Sequence, residues 1–171
     1  MFELPPPEDD KLLTPTVGEW SHDKHYYLQR YIDAFTTSMH RKKKWSGLHY
    51  IDLFAEAGIE RRKESGTLEW GSALIAAQAP KPFESLHLCE LNERRYKALV
   101  ERVERVHRGR NNQVLLGDAN ELVQDVKAQI PETALSLAFL DPLWTSSRFL
   151  PLNRPNDIAE ADIVSQLSNL G

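Results

Sequence analysis

The sequence predicts an α/β fold, a mostly parallel sheet with flanking helices. Three observations lead there. In the second half of the chain, short runs of strand-forming residues alternate with amphipathic stretches of helical period. Each run finishes near an acidic residue, as strands do when their ends line a ligand-binding edge. The 171 residues suit one domain, and a 41% hydrophobic content supports one core.

The elements follow in order. Residues 1–18 are rich in proline and acidic groups and read as a flexible N-terminal lead-in. Ser21 is a candidate N-cap for a helix whose apolar residues, Tyr27, Leu28, Tyr31, Ile32, Phe35 and Met39, recur at helical spacing. That helix ends in Arg41, Lys42, Lys43 and Lys44, where positive charge suits the negative end of the helix dipole. Leu48 to Phe54 reads as a strand followed by a small-residue turn. Residues 59–71, polar and interrupted by Gly66 and Gly71, read as a loop long enough to act as a lid. Ser72 to Ala79 is a short apolar helix stopped by Pro80 and Pro82.

The alternation is then regular. Leu86 to Glu90 is strand-like, and Asn92 caps a helix with Tyr96, Leu99, Val100, Val103 and Val106 on one face. Gln113 to Leu116 forms the next strand, closed by Gly117 and Asp118. Asn120 opens a helix that turns Leu122, Val123, Val126 and Ile130 inward and stops at Pro131. Leu135 to Leu140 is a strand of the buried type, running into Asp141 and Pro142.

Composition removes several function classes. A formal net charge of −4 argues against a general nucleic-acid coat, leaving local basic stretches at Arg41–Lys44, beside Trp45, and at Arg94–Arg110. The single cysteine, Cys89, excludes an internal disulfide framework and a multi-cysteine zinc site. The six histidines have no metal-ligand spacing, so no metal is expected. No apolar run reaches the roughly 18 residues of a membrane span. Met1–Asp10 does not resemble a signal peptide, so the expectation is a cytoplasmic protein away from membranes.

The four strand-end carboxylates, Asp52, Glu90, Asp118 and Asp141, would meet at one edge of a parallel sheet. Carboxylates there can accept hydrogen bonds from ribose hydroxyls or from an amine. Tyr50-Ile51-Asp52-Leu53-Phe54-Ala55-Glu56-Ala57-Gly58 resembles the first motif of S-adenosylmethionine-dependent methyltransferases. Leu88-Cys89-Glu90-Leu91-Asn92 resembles the second motif, Gly117-Asp118-Ala119-Asn120 the third, and Phe139-Leu140-Asp141-Pro142 the fourth. More narrowly, Gly18-Glu19-Trp20 through Lys24, the Asp52 loop, Trp70-Gly71-Ser72 and Leu140-Asp141-Pro142 resemble the bacterial three-Cys-motif partner family. The resemblance covers about residues 18–142. It implies a Rossmann-like domain over 19–142 that binds S-adenosylmethionine through Asp52, Phe54, Ala55, Glu56, Ala57, Gly58, Glu90, Asp118 and Ala119. It also implies that Asp141 and Pro142 stand at the methyl-transfer site.

Two departures bear on activity. The family has glycine where this chain has Glu56, and a carboxylate there predicts weakened cofactor affinity. After Pro142 the family continues Tyr-Gly-Leu, whereas this chain reads Leu143-Trp144-Thr145-Ser146. Codons CTA-TGG-ACT-TCA for those four residues, read one base later, encode Tyr-Gly-Leu. Residues 143–171 are therefore expected to be a divergent tail, through frameshift or shortening, in which Ala161 to Val164 again looks strand-like. Missing strands would leave a sheet edge that invites self-association. The methyl acceptor is not readable from the sequence. The rival expectations are a non-catalytic protein partner of a neighbouring gene product, or a remnant of an adenine-directed nucleic-acid methyltransferase.

Overall fold

The computed structural model describes residues 2–141. The expectations for Pro142, for the tail at 143–171 and for a strand at 161–164 lie outside the described residues.

Four parallel strands form the main sheet: β2 (Leu48–Asp52), β5 (Ser85–Glu90), β6 (Asn111–Leu116) and β7 (Leu135–Phe139). Their spatial order is β6-β5-β2-β7, so the chain builds outward from β2 to β6 and then returns to add β7 on β2's other side. This is the doubly wound, Rossmann-like arrangement. In β2 and β5 every residue is buried, because these central strands are covered on both faces. The flanking strands β6 and β7 are largely half-buried.

Side chains alternate across the sheet and divide the core in two. Leu48, Tyr50, Leu86 and Leu88 pack with Leu28 and Ile32 of α1 (Glu19–Lys42), α2 (Ser72–Ala77), and Leu99 and Val103 of α3 (Glu93–Val106). On the opposite side, Ile51, Leu53 and Cys89 pack with Val123 and Val126 of α4 (Ala119–Ala128). The split follows from right-handed crossovers. A helix joining strands laid in one direction covers one face, and a helix on the return covers the other.

A second, three-stranded sheet has the order β1-β3-β4, from β1 (Thr16–Val17), β3 (Ile59–Arg62) and β4 (Leu68–Trp70). Its presence corrects the reading of 59–71 as a loop or lid. Ile59 pairs with Trp70 in an antiparallel hairpin, and Thr16 pairs with Arg61 in parallel. Gly66, at φ +71, makes the turn that the polar composition concealed.

The lead-in also differs from the flexible segment expected at 1–18. Phe2 and Leu4 pack on the core, Trp70 Nε1 donates to Pro5 O at 2.7 Å, and Asp10 pairs with Arg102. Helix α1 begins at Glu19, capped by Gly18, so Ser21 is not its cap; the Ser21 hydroxyl donates instead to Glu60 Oε2 at 2.7 Å. No described helix is long and apolar enough to cross a membrane.

Candidate functional site

The carboxyl ends of β2, β5 and β6 open into a cavity of about 480 Å³. Phe54 and Glu56 from the turn after β2, Glu90 and Asn92 after β5, Arg95 on α3, and Asp118, Ala119 and Asn120 after β6 line it. Parallel strands deliver these residues to one edge, next to the point between β2 and β7 where the strand order reverses.

The turn after β2 is held from several sides. Ala55 N donates to Cys89 O at 3.0 Å, which ties the turn to β5. Gly58 stands at φ +81, and a Cβ there would meet Leu74 and Leu99 side-chain atoms at 3.0–3.1 Å. Arg102 Nη1 donates to Ala57 O at 2.7 Å. Ala55, Ala57 and Gly58 therefore form a buried floor under the turn rather than the cavity wall. Glu56 adopts φ +53, a left-handed conformation that favours glycine.

Two of the wall carboxylates, Glu90 and Asp118, are oriented by backbone amides. Asn92 N donates to Glu90 Oε1 at 2.6 Å, while the Asn92 side chain caps α3 by accepting from Arg94 N and Arg95 N. Asp118, not Asn120, is the N-cap of α4; its Oδ1 accepts from Asn120 N at 2.8 Å and from Asn120 Nδ2 at 2.9 Å. That contact orients the Asn120 amide and leaves its buried Oδ1 without a hydrogen-bond partner. The cavity therefore offers acceptors to a ligand rich in donors.

Glu56 is the exception among the acids, because it has a cationic partner. Its Oε2 lies 2.8 Å from Arg95 Nη1, an ion pair without hydrogen-bond alignment. Burial raises the Glu56 carboxyl to about 7, against the lowering effect of Arg95 and with further raising by Glu90, Glu60 and Asp52.

Asp52 does not face the cavity. It is fully buried, with Oδ2 accepting from Ser72 Oγ at 2.5 Å and from the Tyr50 hydroxyl at 3.4 Å, and Oδ1 accepting from Phe54 N at 3.1 Å. Burial raises it to about 7, opposed by the Ser72 and Phe54 hydrogen bonds and reinforced by the charge of Asp141. Its place is to shape the turn, where the resemblance implied ligand contact. Asp141, just past β7, is half-buried and paired with Lys24 of α1. Beside that pair lies a second polar group, in which Glu60 meets Ser21 and His25, and Glu69 meets His22 and Arg62.

Sequence reasoning missed Arg95 and the cavity-facing sides of Asn92 and Asn120. Asn92 and Asn120 each stand two residues past a strand-end acid, which was the available signal; Arg95, five past Glu90, is brought in by the first turn of α3. Trp45, beside the basic stretch Arg41–Lys44, packs on the core with Lys44 Nζ 4.8 Å over its ring. Burial pushes the Cys89 thiol up to about 12, consistent with a small core residue. Among the described residues, no three His, Cys, Asp or Glu side chains converge as a metal site.

No protein-family model matches the chain, and no curated protein sequence matches it either. A solved structure does match: the crystal structure of protein LPL1258 from Legionella pneumophila, assigned to the family DUF519. The likeness has a TM-score of 0.51 at 19% identity and covers 73% of this chain. This chain spans 56% of that structure's length. At that identity the likeness establishes the shared α/β fold.

Proposed function

We propose that the chain binds S-adenosylmethionine in the cavity at the ends of β2, β5 and β6, as a methyltransferase-like protein of the three-Cys-motif partner type. The supporting observation is the meeting of Glu90 and Asp118 on neighbouring parallel strands at the carboxyl edge of the sheet. Glu90, held by Asn92 N, is placed to accept from ribose hydroxyls. Asp118 is placed to accept from an exocyclic amine. From the turn at Phe54 to Gly58, Phe54 and Glu56 stand in the cavity wall, on the side proposed for the amino-acid end.

When bound, the cofactor supplies an electrophilic methyl group on a sulfonium. Asp141, neutralised by Lys24, would orient an acceptor atom toward it, a contribution of positioning more than of proton transfer. Thermal unfolding with and without S-adenosylmethionine or its demethylated product tests the reading. A ligand at about 100 times its Kd stabilises by about 2.7 kcal/mol, which raises the melting temperature by several degrees. An unchanged melting temperature at millimolar ligand overturns it.

A second reading is a non-catalytic partner acting through protein contacts. Its supporting observation is an apolar groove of about 780 Å³ between α1 and β7, lined by Tyr27, Tyr31, Leu137 and Phe139. Strand β7 is an edge among the described residues, and Tyr27 is 68% exposed. Neither feature requires a bound cofactor.

A further inference from the structure

Arg95 is the one cationic side chain among the described residues that line the cofactor cavity, against three acids, Glu56, Glu90 and Asp118. It sits in the first turn of α3, where the helix dipole disfavours a cation. A nearby anion is what makes that position tolerable. Two of the N-terminal amides of α3 are closed to an incoming anion, because Arg94 N and Arg95 N already donate to Asn92 Oδ1. Recognition of a carboxylate on this side of the cavity therefore falls to the Arg95 guanidinium.

Glu56 already occupies it. The Glu56 side chain is 14% exposed and Arg95 31% exposed, with 2.8 Å between Oε2 and Nη1. The left-handed backbone at Glu56 turns a longer side chain toward α3 from a position where glycine would leave Arg95 unpaired. Burial already raises this carboxyl toward neutrality, so the pair is held under tension with its surroundings.

We infer that Glu56 acts as a built-in stand-in for a ligand carboxylate, so that the Glu56–Arg95 pair makes the cavity select a nucleoside cofactor lacking that carboxylate. The inference rests on the cofactor reading above and adds a specificity-determining pair to it. A ligand that carries a carboxylate must break the pair to reach Arg95, and then leaves Glu56 buried without its cation. A ligand with an amine and no carboxylate meets three acids and leaves the pair intact.

Two probes separate these cases, since S-adenosylmethionine and its decarboxylated form differ only in the carboxylate. Calorimetric titration of the full chain is expected to give the decarboxylated form an affinity equal to or above that of S-adenosylmethionine. Glu56→Gln is expected to move the ratio of affinities by about tenfold toward S-adenosylmethionine, the scale of a hydrogen bond to a charged group. Adding Arg95→Gln to that variant is expected to cancel the gain. Glu56→Gly, which also relieves the backbone, serves if the Gln variant melts early. A preference for S-adenosylmethionine that is the same in the parent and in both Glu56 variants overturns the inference and leaves the cofactor reading standing. If neither probe binds any of these proteins while all melt cooperatively, the cofactor reading falls and the inference with it.

Discussion

Asp10 and Arg102, 92 residues apart in sequence, form a two-point ion pair inside the protein. Arg102 Nε donates to Oδ2 at 2.8 Å and Nη2 donates to Oδ1 at 2.7 Å. The same guanidinium reaches Leu13 O, Thr14 Oγ1 and Ala57 O, so one side chain joins the N-terminal segment, α3 and the turn under the cavity. Arg102 is 2% exposed, and it holds Asp10 well within the ionised range.

That arrangement predicts a large effect from a residue in an irregular segment. Asp10→Ala leaves a buried guanidinium without its anion and should cost about 3 kcal/mol. Urea unfolding measures it as a lower midpoint at unchanged slope. A loss under about 1 kcal/mol, the scale of a surface pair, would show that the segment contributes little to stability.

Acid should weaken the core through His87. His49 Nδ1 and His87 Nε2 lie 2.9 Å apart, and His87 Nδ1 lies 3.1 Å from Gln113 Oε1, so the neutral rings form a chain across three strands. Burial lowers His87 from 6.5 to about 4, against the Gln113 hydrogen bond. The unfolded chain therefore binds the extra proton first. Stability is full above pH 6.5 and falls as pH drops toward 4, by about 3 kcal/mol from this group. In His87→Gln this part of the pH slope should vanish, and an unchanged difference between parent and variant across that window would refute it.

Asp52 should act with the opposite sign. Its carboxyl is raised from 3.8 to about 7, so the folded state keeps a proton that the unfolded state releases. Stability from this group is present below about pH 4 and declines as pH rises to 7, by about 4 kcal/mol. Asp52→Asn removes the titration, so the variant should gain on the parent as pH rises from 4 to 8. A parallel pair of stability–pH curves would contradict the burial argument.

Asp118 combines a helix cap with a cavity wall, and two substitutions separate the roles. Asp118→Ala should cost about 1 kcal/mol through the lost cap, about 2–4 °C in melting temperature, and should remove stabilisation by S-adenosylmethionine. Asp118→Asn retains a capping side chain, so its ligand-free melting temperature should stay close to the parent's while the ligand-induced rise shrinks. A full ligand-induced rise in Asp118→Asn would take this carboxylate out of the binding site.

Much of the main sheet was legible because its signals are local. Runs of strand-forming residues marked β2 and β5, Asn92 announced the start of α3, and Pro131 marked the end of α4. Strand-end acids placed Glu90 and Asp118 at one edge, because parallel strands deliver their ends together. The small sheet was not legible: its strands are two to four residues long, too short for a period of two to stand out.

The amino-acid sequence by itself determined the alternation of strands and helices and the acids that end the strands. Tertiary structure decided which of those acids face a ligand. Asp52 and Glu90 end neighbouring parallel strands, yet Ser72, Tyr50 and Phe54 enclose the first while the second stays in the cavity wall. Only the fold brought Arg95 to Glu56 and Arg102 to Asp10. Periodicity and capping act within a few residues, whereas burial and ion pairing depend on which distant segments the packed core brings together.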